Sequence, residues 1–315
     1  MKYHNLNYFI ILALVILIPL NLPAQTGHAG KAKQAGSKEK DSKQKKDKDE
    51  EKEKITRWEF GLNFGTYFAN KYTAGYYNGS DQNVNKISYV MSNYYWYQEI
   101  KRLLDASDTV IITEYPENMN YHVAITGGLF LRYNLTRHWG VFLQADYTQL
   151  KTDGEFTVEV DPASYLTEPD IRLFGVHGKE QRVNIDFGVH CKFPVYKNRM
   201  NLFVQAGMNV NYIQVMKSFV DFYGKEYSLI NVYGNQYYVH NTNLQEYQNL
   251  QNGFGYGLYA GAGTGFNFTK QIGLELGGCL NYIRVNLEGY RQFKPSWAIY
   301  LRFLLSNLVN TEEEQ

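Results

Sequence analysis

At 315 residues and a formal net charge of +1, the chain is long enough for one large domain, and it has no charge excess suited to a polyanion, so nucleic acid is not an expected partner. Two cysteines and no clustered His, Cys and carboxylate ligands exclude a disulfide framework, a zinc site and any cofactor held by such ligands. The compositional signal is 28 tyrosines and 27 glycines, residues that anchor at membrane interfaces and ease sheet curvature.

Residues 1–24 have the form of a secretory signal peptide, with a short polar start, an apolar run over 9–20, and Ala24 before an expected cleavage at Gln25. That run is too short to span a bilayer comfortably, and no run of 18 or more apolar residues follows, so no transmembrane helix is expected. Segment 25–54 contains KAKQAGSKEKDSKQKKDKDEEKEK over 31–54. Lacking aromatic and branched apolar residues there, it cannot bury a core and reads as a charged, disordered periplasmic linker.

From residue 57 the chain alternates apolar and polar residues, the period-two signature of strands with two unlike faces. Eight such stretches follow. The first, 57–66, sets Trp58, Phe60, Leu62 and Phe64 on one face. The second, 120–133, sets Tyr121, Val123, Ile125, Leu129, Leu131 and Tyr133 on one face. Asn120, His122, Thr126 and Arg132 share its other face, with Phe130 as an apolar exception. The third, 139–147, presents Trp139, Val141, Leu143 and Tyr147, and the fourth, 183–193, presents Val183, Ile185, Phe187, Val189 and Cys191 before Pro194 stops it. The fifth, 202–212, carries Leu202, Val204, Met208 and Val210. In the sixth, 254–268, glycine recurs with a period of two and no helix follows, so it is not a nucleotide-binding loop. The seventh, 272–282, and eighth, 297–305, repeat the pattern with Leu274 and Leu276, then Ile299 and Phe303.

None of the apolar-face positions is charged, although 20% of the chain is. A charge facing mid-bilayer lipid costs about 2–4 kcal/mol, which accounts for the exclusion. A soluble barrel would put its apolar face inside instead. Connections of about 54, 5, 35, 8, 41, 3 and 14 residues alternate long external loops with short turns. Aromatics sort into two girdles, Trp58, Tyr133, Trp139, Phe193, Phe268 and Phe303 at the periplasmic rim and Tyr121, Tyr147, Tyr212, Tyr282 and Trp297 at the outer rim. The pattern therefore predicts an all-β chain: an eight-stranded antiparallel up-and-down transmembrane β-barrel over 55–305 with long external loops, set in outer-membrane lipid. A periplasmic tail over 306–315 completes it. On this register Val204→Arg faces lipid and impairs assembly, whereas Gln205→Arg faces the lumen and is milder.

The segments LRYNLTRHWGVFLQADY and GLYAGAGTGFNFTKQIGLELGG resemble the PorT-like and OmpA-like families of eight-stranded outer-membrane barrels. In those families a strand ends in an aromatic, a tight turn carries a basic residue, and Trp-Gly often opens the next strand. The resemblance covers roughly residues 57–305 and implies the barrel fold. It implies a range of functions, among them tethers, adhesins, small pores and secretion-system parts. A subunit of an envelope secretion or gliding machine of the type IX kind is thus one reading and a narrow pore another.

A barrel of eight strands is narrow enough for side chains to fill it. The inward rows hold Glu59, Arg132, Gln144, Asp146, Asp186, His190, Lys192, Gln205, Asn209, Tyr259, Glu275, Tyr300 and Arg302. Register alone sets Glu275 near Arg302 and Glu59 near Arg132, within reach of ion pairs in the lumen. His122, His177 and His240, with Ser164 and Asp170, fall near or above the outer rim at no spacing that fixes a nucleophile, base and acid, so no enzyme is expected. The loops carry more. Tyr76, Tyr77, Tyr94, Tyr95, Trp96 and Tyr97 in the first, and Tyr237 and Tyr238 in the third, sit among Asn, Gly, Ser and Gln. Rigid aromatics among adaptable polar groups compose a recognition surface. A short helix is expected over 92–104, capped by Ser92, with Trp96, Ile100 and Leu103 on one face. The function read here is a non-enzymatic outer-membrane barrel whose tyrosine-rich loops bind a protein partner, in the envelope or at the cell surface, or cap the barrel mouth.

Overall fold

In the computed structural model, which describes residues 57–162, 168–196, 199–230, 251–269 and 271–306, the alternation becomes an antiparallel sheet. Its eleven strands among the described residues are β1 (Trp58–Phe68), β2 (Val110–Glu114), β3 (Asn120–Tyr121), β4 (Ala124–Asn134), β5 (Trp139–Val160), β6 (Asp170–Tyr196), β7 (Met200–Phe222), β8 (Lys225–Ser228), β9 (Asn252–Asn267), β10 (Ile272–Arg284) and β11 (Phe293–Ser306). The pairings run β1 to β4, then β5, β6, β7, β9, β10 and β11, and β11 returns to β1. Closing the sheet pairs backbone groups along each seam, the condition for crossing lipid without a helix. Strands β2 and β8 are short additions at the long-loop end, which the sequence reading left within loops, and β3 is the start of the second predicted stretch, set apart from β4 and paired with β5. No helix of the described residues is long and apolar enough to cross a membrane.

The two faces differ as sharply as the pattern implies. Ile125 is 82% exposed on the outer face, while Arg132, on the inner one, is fully buried. Val204 points out, and its neighbour Gln205 is enclosed, its Oε1 accepting from the hydroxyls of Tyr259 (3.0 Å) and Tyr300 (3.3 Å). An arginine at 205 would overpack that filled interior, so Gln205→Arg is not the mild change that register alone suggests. Val204→Arg is expected to lower unfolding stability in lipid by about 2–4 kcal/mol, and Val204→Ile to leave it unchanged. Equal stability of these two variants would put the opposite face of β7 in lipid.

Strands β5, β6 and β7 run to 22, 27 and 23 residues, about twice the 9–11 that span a bilayer. Along β5 the apolar side changes over. Val141, Leu143 and Tyr147 point out, whereas higher up Leu150, Phe156 and Val158 point in and are buried. Lipid surrounds the lower half and water the upper half, so apolar side chains move from the outer face to the inner one. In β7 the phase itself shifts: the register passes from Lys179↔Lys217 to Glu180↔Val215, leaving Met216 as an extra residue in a bulge. Val220 and Phe222 thereby turn inward, and the Phe222 ring lies 4.7 Å from Phe174 and 5.7 Å from Phe156. The inversion explains why the 35-residue connection expected after the third strand is largely strand instead.

The first loop folds over this upper core as α1 (Lys71–Ala74), a 3-10 turn (Gly75–Tyr77), α2 (Ile87–Ser92) and α3 (Tyr94–Leu104). Ile87, Val90, Ile100 and Leu104 pack with Phe156, Phe174 and Phe222. Ser92 closes α2 rather than capping α3; the cap is Asn93, whose side chain accepts from the amides of Tyr95 and Trp96. On α3 it is Leu104 that goes inside with Ile100, while Leu103 is 37% exposed. Tyr121 also departs from its expected place in the outer girdle. β3 ends there and β4 begins three residues later, and the break turns the Tyr121 hydroxyl inward to Glu180 (3.0 Å).

Candidate functional site

The lumen near the short-turn end holds a chain of alternating charges drawn from five strands. Lys192 on β6 donates to Glu59 on β1 at 3.0 Å, and Arg132 on β4 donates to the same carboxylate at 2.5 Å. Arg132 reaches across the lumen to Glu275 on β10 (2.9 Å), which also accepts from Arg302 on β11 (2.9 Å). Register sets Glu59 opposite Arg132 and Glu275 opposite Arg302, but closure of the barrel joins the two pairs through Arg132. Further donors of both guanidinium groups reach neutral partners. Arg132 donates to His190 Nε2 (2.9 Å), and Arg302 donates to Asn63 Oδ1 (2.8 Å) and Gln144 Oε1 (2.6 Å). Phe130, the apolar exception on an inward row, lies 3.5 Å beneath the Arg302 guanidinium and supplies a cation–π platform. Buried charges are tolerable only when paired and hydrogen-bonded in this way.

Above the charges the lumen is polar and nearly full. Asp146 accepts from Asn63 (3.1 Å) and Asp186 from Asn209 (2.6 Å). A cavity of about 10 Å³ among Tyr67, Asp146, Asn184, Asn281 and Tyr300 has room for about one water molecule. Cys279 lines it and Cys191 is on the outer face; both are free thiols, as opposite faces require.

The long-loop end is closed by a second cluster. Glu180 and Arg182, both on β6, pair at 2.5 Å, and Glu180 Oε2 accepts from the hydroxyls of Tyr77 (2.6 Å) and Tyr121 (3.0 Å). Arg182 also donates to Thr73 in the first loop at 2.9 Å. Burial first, and then the Glu180 charge, push the Tyr77 hydroxyl well above the usual tyrosine range, so it remains a donor. Gly178 makes room for the ring: a Cβ there would lie 2.3 Å from Tyr77 Cγ.

The tyrosines singled out from sequence divide by burial. Tyr76 and Tyr77 are 2% and 0% exposed and pack inside the upper apolar core. Trp96 packs beside Tyr89 and Tyr227, and the Tyr97 hydroxyl accepts from the Val110 amide at 3.0 Å. Tyr94 and Tyr95 stand out at 68% and 51% exposure with their rings 5.6 Å apart. Tyr237, Tyr238, His240 and Ser164 lie outside the described residues, as do segments 1–56 and 307–315.

The structure brings His122 and His177 to one carboxylate, Asp153, at 2.6 Å and 2.5 Å. Desolvation opposes the charge on Asp153, but the hydrogen bonds from His177 and His122 hold its carboxyl below the usual range. Sequence reasoning missed Asp153, although its cross-strand register with His177 follows once β5 and β6 are extended upward. Asp170 pairs with Arg172 (2.6 Å) instead of joining the histidines.

A model of the family described as outer membrane protein beta-barrel domain matches residues 44–306. Among solved structures the chain is similar to Neisserial surface protein A, at 10% identity and a TM-score of 0.36 over 79% of this chain and 96% of that one. It is similar to Ail, the attachment invasion locus protein of Yersinia pestis, at 9% identity and a TM-score of 0.31 over 79% and 98%. It is also similar to the outer membrane protein OprG of Pseudomonas aeruginosa, at 9% identity and a TM-score of 0.35 over 80% and 94%. No curated protein sequence matches significantly.

Proposed function

The chain belongs to the outer membrane protein beta-barrel domain family and resides in the bacterial outer membrane, and on that premise we propose that it is a closed, non-enzymatic barrel whose cap presents an aromatic surface to a protein partner. The observation that carries this reading is the division of the loop tyrosines. Tyr76 and Tyr77 are inside, sealing the mouth over Glu180, while Tyr94 and Tyr95 project from the start of a helix anchored by Ile100 and Leu104. Exposed rigid aromatics on a fixed element lose little entropy on binding.

The runner-up is a subunit of an envelope secretion or gliding machine of the type IX kind, in keeping with the likeness of residues 131–147 and 257–278 to PorT-like and OmpA-like barrels. Ile111, Ile171 and Leu173, 49%, 55% and 65% exposed on the outer face of the upper sheet, favour a stable neighbour above the membrane. The filled lumen speaks against a pore, and single-channel recordings of refolded protein are expected to be silent. Co-purification from native membranes separates the others. Loss of the partner in the Tyr94→Ser, Tyr95→Ser double variant supports the cap surface, and loss only in Ile171→Ser, Leu173→Ser supports the machine. Retention in both variants would sink the two readings together.

A further inference from the structure

Three lysines stand side by side on the outer surface of β5, β6 and β7. Lys151 is in register with Lys179, and Lys179 with Lys217. Their side chains leave the outer face, since the flanking Leu150, Thr152, Glu180 and Ser218 are buried on the inner one. Neighbouring strands lie about 4.8 Å apart, so like charges in such a row repel unless an anion comes between them. Among the described residues no ion-pair partner serves Lys151 or Lys179, and Lys217 has only the exposed Glu226 at 3.7 Å. Asp153, the outward carboxylate next above Lys151, is already taken by His122 and His177.

The height of the row is fixed by register. Below it run Gln149, Gln181 and Gln214, and below those Tyr147, Val183, Tyr212 and Phe254, where the apolar outer band begins. Aromatic side chains of that kind sit at the boundary between hydrocarbon and headgroups. Lys151 is four residues beyond Tyr147, about 13 Å along the strand and less in height because barrel strands tilt. Its flexible stem can bend its ammonium into the headgroup layer. Outward carboxylates on these strands, Asp153, Glu155, Glu159 and Asp221, all lie above the lysines, so charge is sorted by height. Long loops face outward in such barrels, which sets the row in the outer leaflet.

We propose that Lys151, Lys179 and Lys217 form a binding ledge for the phosphate groups of a phosphorylated glycolipid in the outer leaflet, each phosphate bridging neighbouring ammonium groups. The test titrates folded protein in micelles with diphosphorylated lipid A. The triple variant Lys151→Gln, Lys179→Gln, Lys217→Gln is expected to bind on the order of 100-fold more weakly, about fivefold per lysine. The corresponding triple arginine variant retains binding. Heat-modifiable electrophoretic mobility verifies folding, and if the glutamine triple fails to fold, Lys179→Gln alone is expected to lose about fivefold. Unchanged affinity in the glutamine variant overturns the proposal. So does equal affinity of the wild type for dephosphorylated lipid A, or for inorganic phosphate. An equal loss on changing Lys71, Lys86 and Lys101 to glutamine would overturn it too, by making net charge rather than the row responsible.

Discussion

Glu275→Ala is expected to destabilise the barrel by about 3–5 kcal/mol, because it leaves buried charges without their counterion. Register alone presents Glu275 and Arg302 as an isolated pair, for which removing either partner would cost alike. The closed lumen makes Glu275 the bridge between Arg132 and Arg302, each at 2.9 Å. Arg302→Ala leaves Glu275 on Arg132, whereas Glu275→Ala leaves two guanidinium groups facing one another with Glu59 as the remaining carboxylate of the chain. Glu275→Ala is therefore the more damaging single change. Adding Arg302→Ala to it relieves part of the repulsion, so the double variant falls short of the summed single effects by about 1–3 kcal/mol. Urea unfolding of the refolded protein in lipid, followed by tryptophan fluorescence, reads all three variants. Additive effects would mean that these side chains do not form one network.

Tyr77→Ala is expected to cost about 3–5 kcal/mol, the usual loss for truncating a fully buried aromatic, and the loss is expected in the cap before the barrel. The ring fills the space over Gly178 and its hydroxyl closes on Glu180. Tyr77→Phe keeps the ring and removes one donor; Glu180 retains Arg182 and Tyr121, so the cost falls to about 1–3 kcal/mol. Gly178→Ala, which forces a Cβ against the Tyr77 ring, is expected to resemble Tyr77→Ala. Hydrogen exchange localises the effect. Amides of α2 and α3 should lose protection while those of β9 and β10 keep theirs. Uniform loss across the sheet would show that the cap and barrel open as one unit and that Tyr77 is no seal.

These two sites were unequally visible in the sequence. Glu59, Arg132, Glu275 and Arg302 stand on inward rows that the alternation marks, and their neighbours in register can be counted along the chain. The Arg132–Glu275 contact between β4 and β10 could not be counted, since it crosses the lumen and exists only once the sheet closes. The cap was less visible still. Tyr76 and Tyr77 carry the same composition signal as Tyr94 and Tyr95, and nothing local separates a tyrosine that seals from one that is displayed.

By itself, the sequence determined the antiparallel strands, the side of each that faces lipid, and the outer-membrane setting. Strand parity is local and a bilayer excludes outward charge, so each stretch states its own orientation. Only the tertiary structure decided what the interior side chains touch, where the apolar side of β5 and β6 changes over, that Met216 bulges, and that Tyr121 turns in. Those features depend on which strands become neighbours and on whether lipid or water lies outside at a given height. Neither quantity is a property of a short stretch of chain.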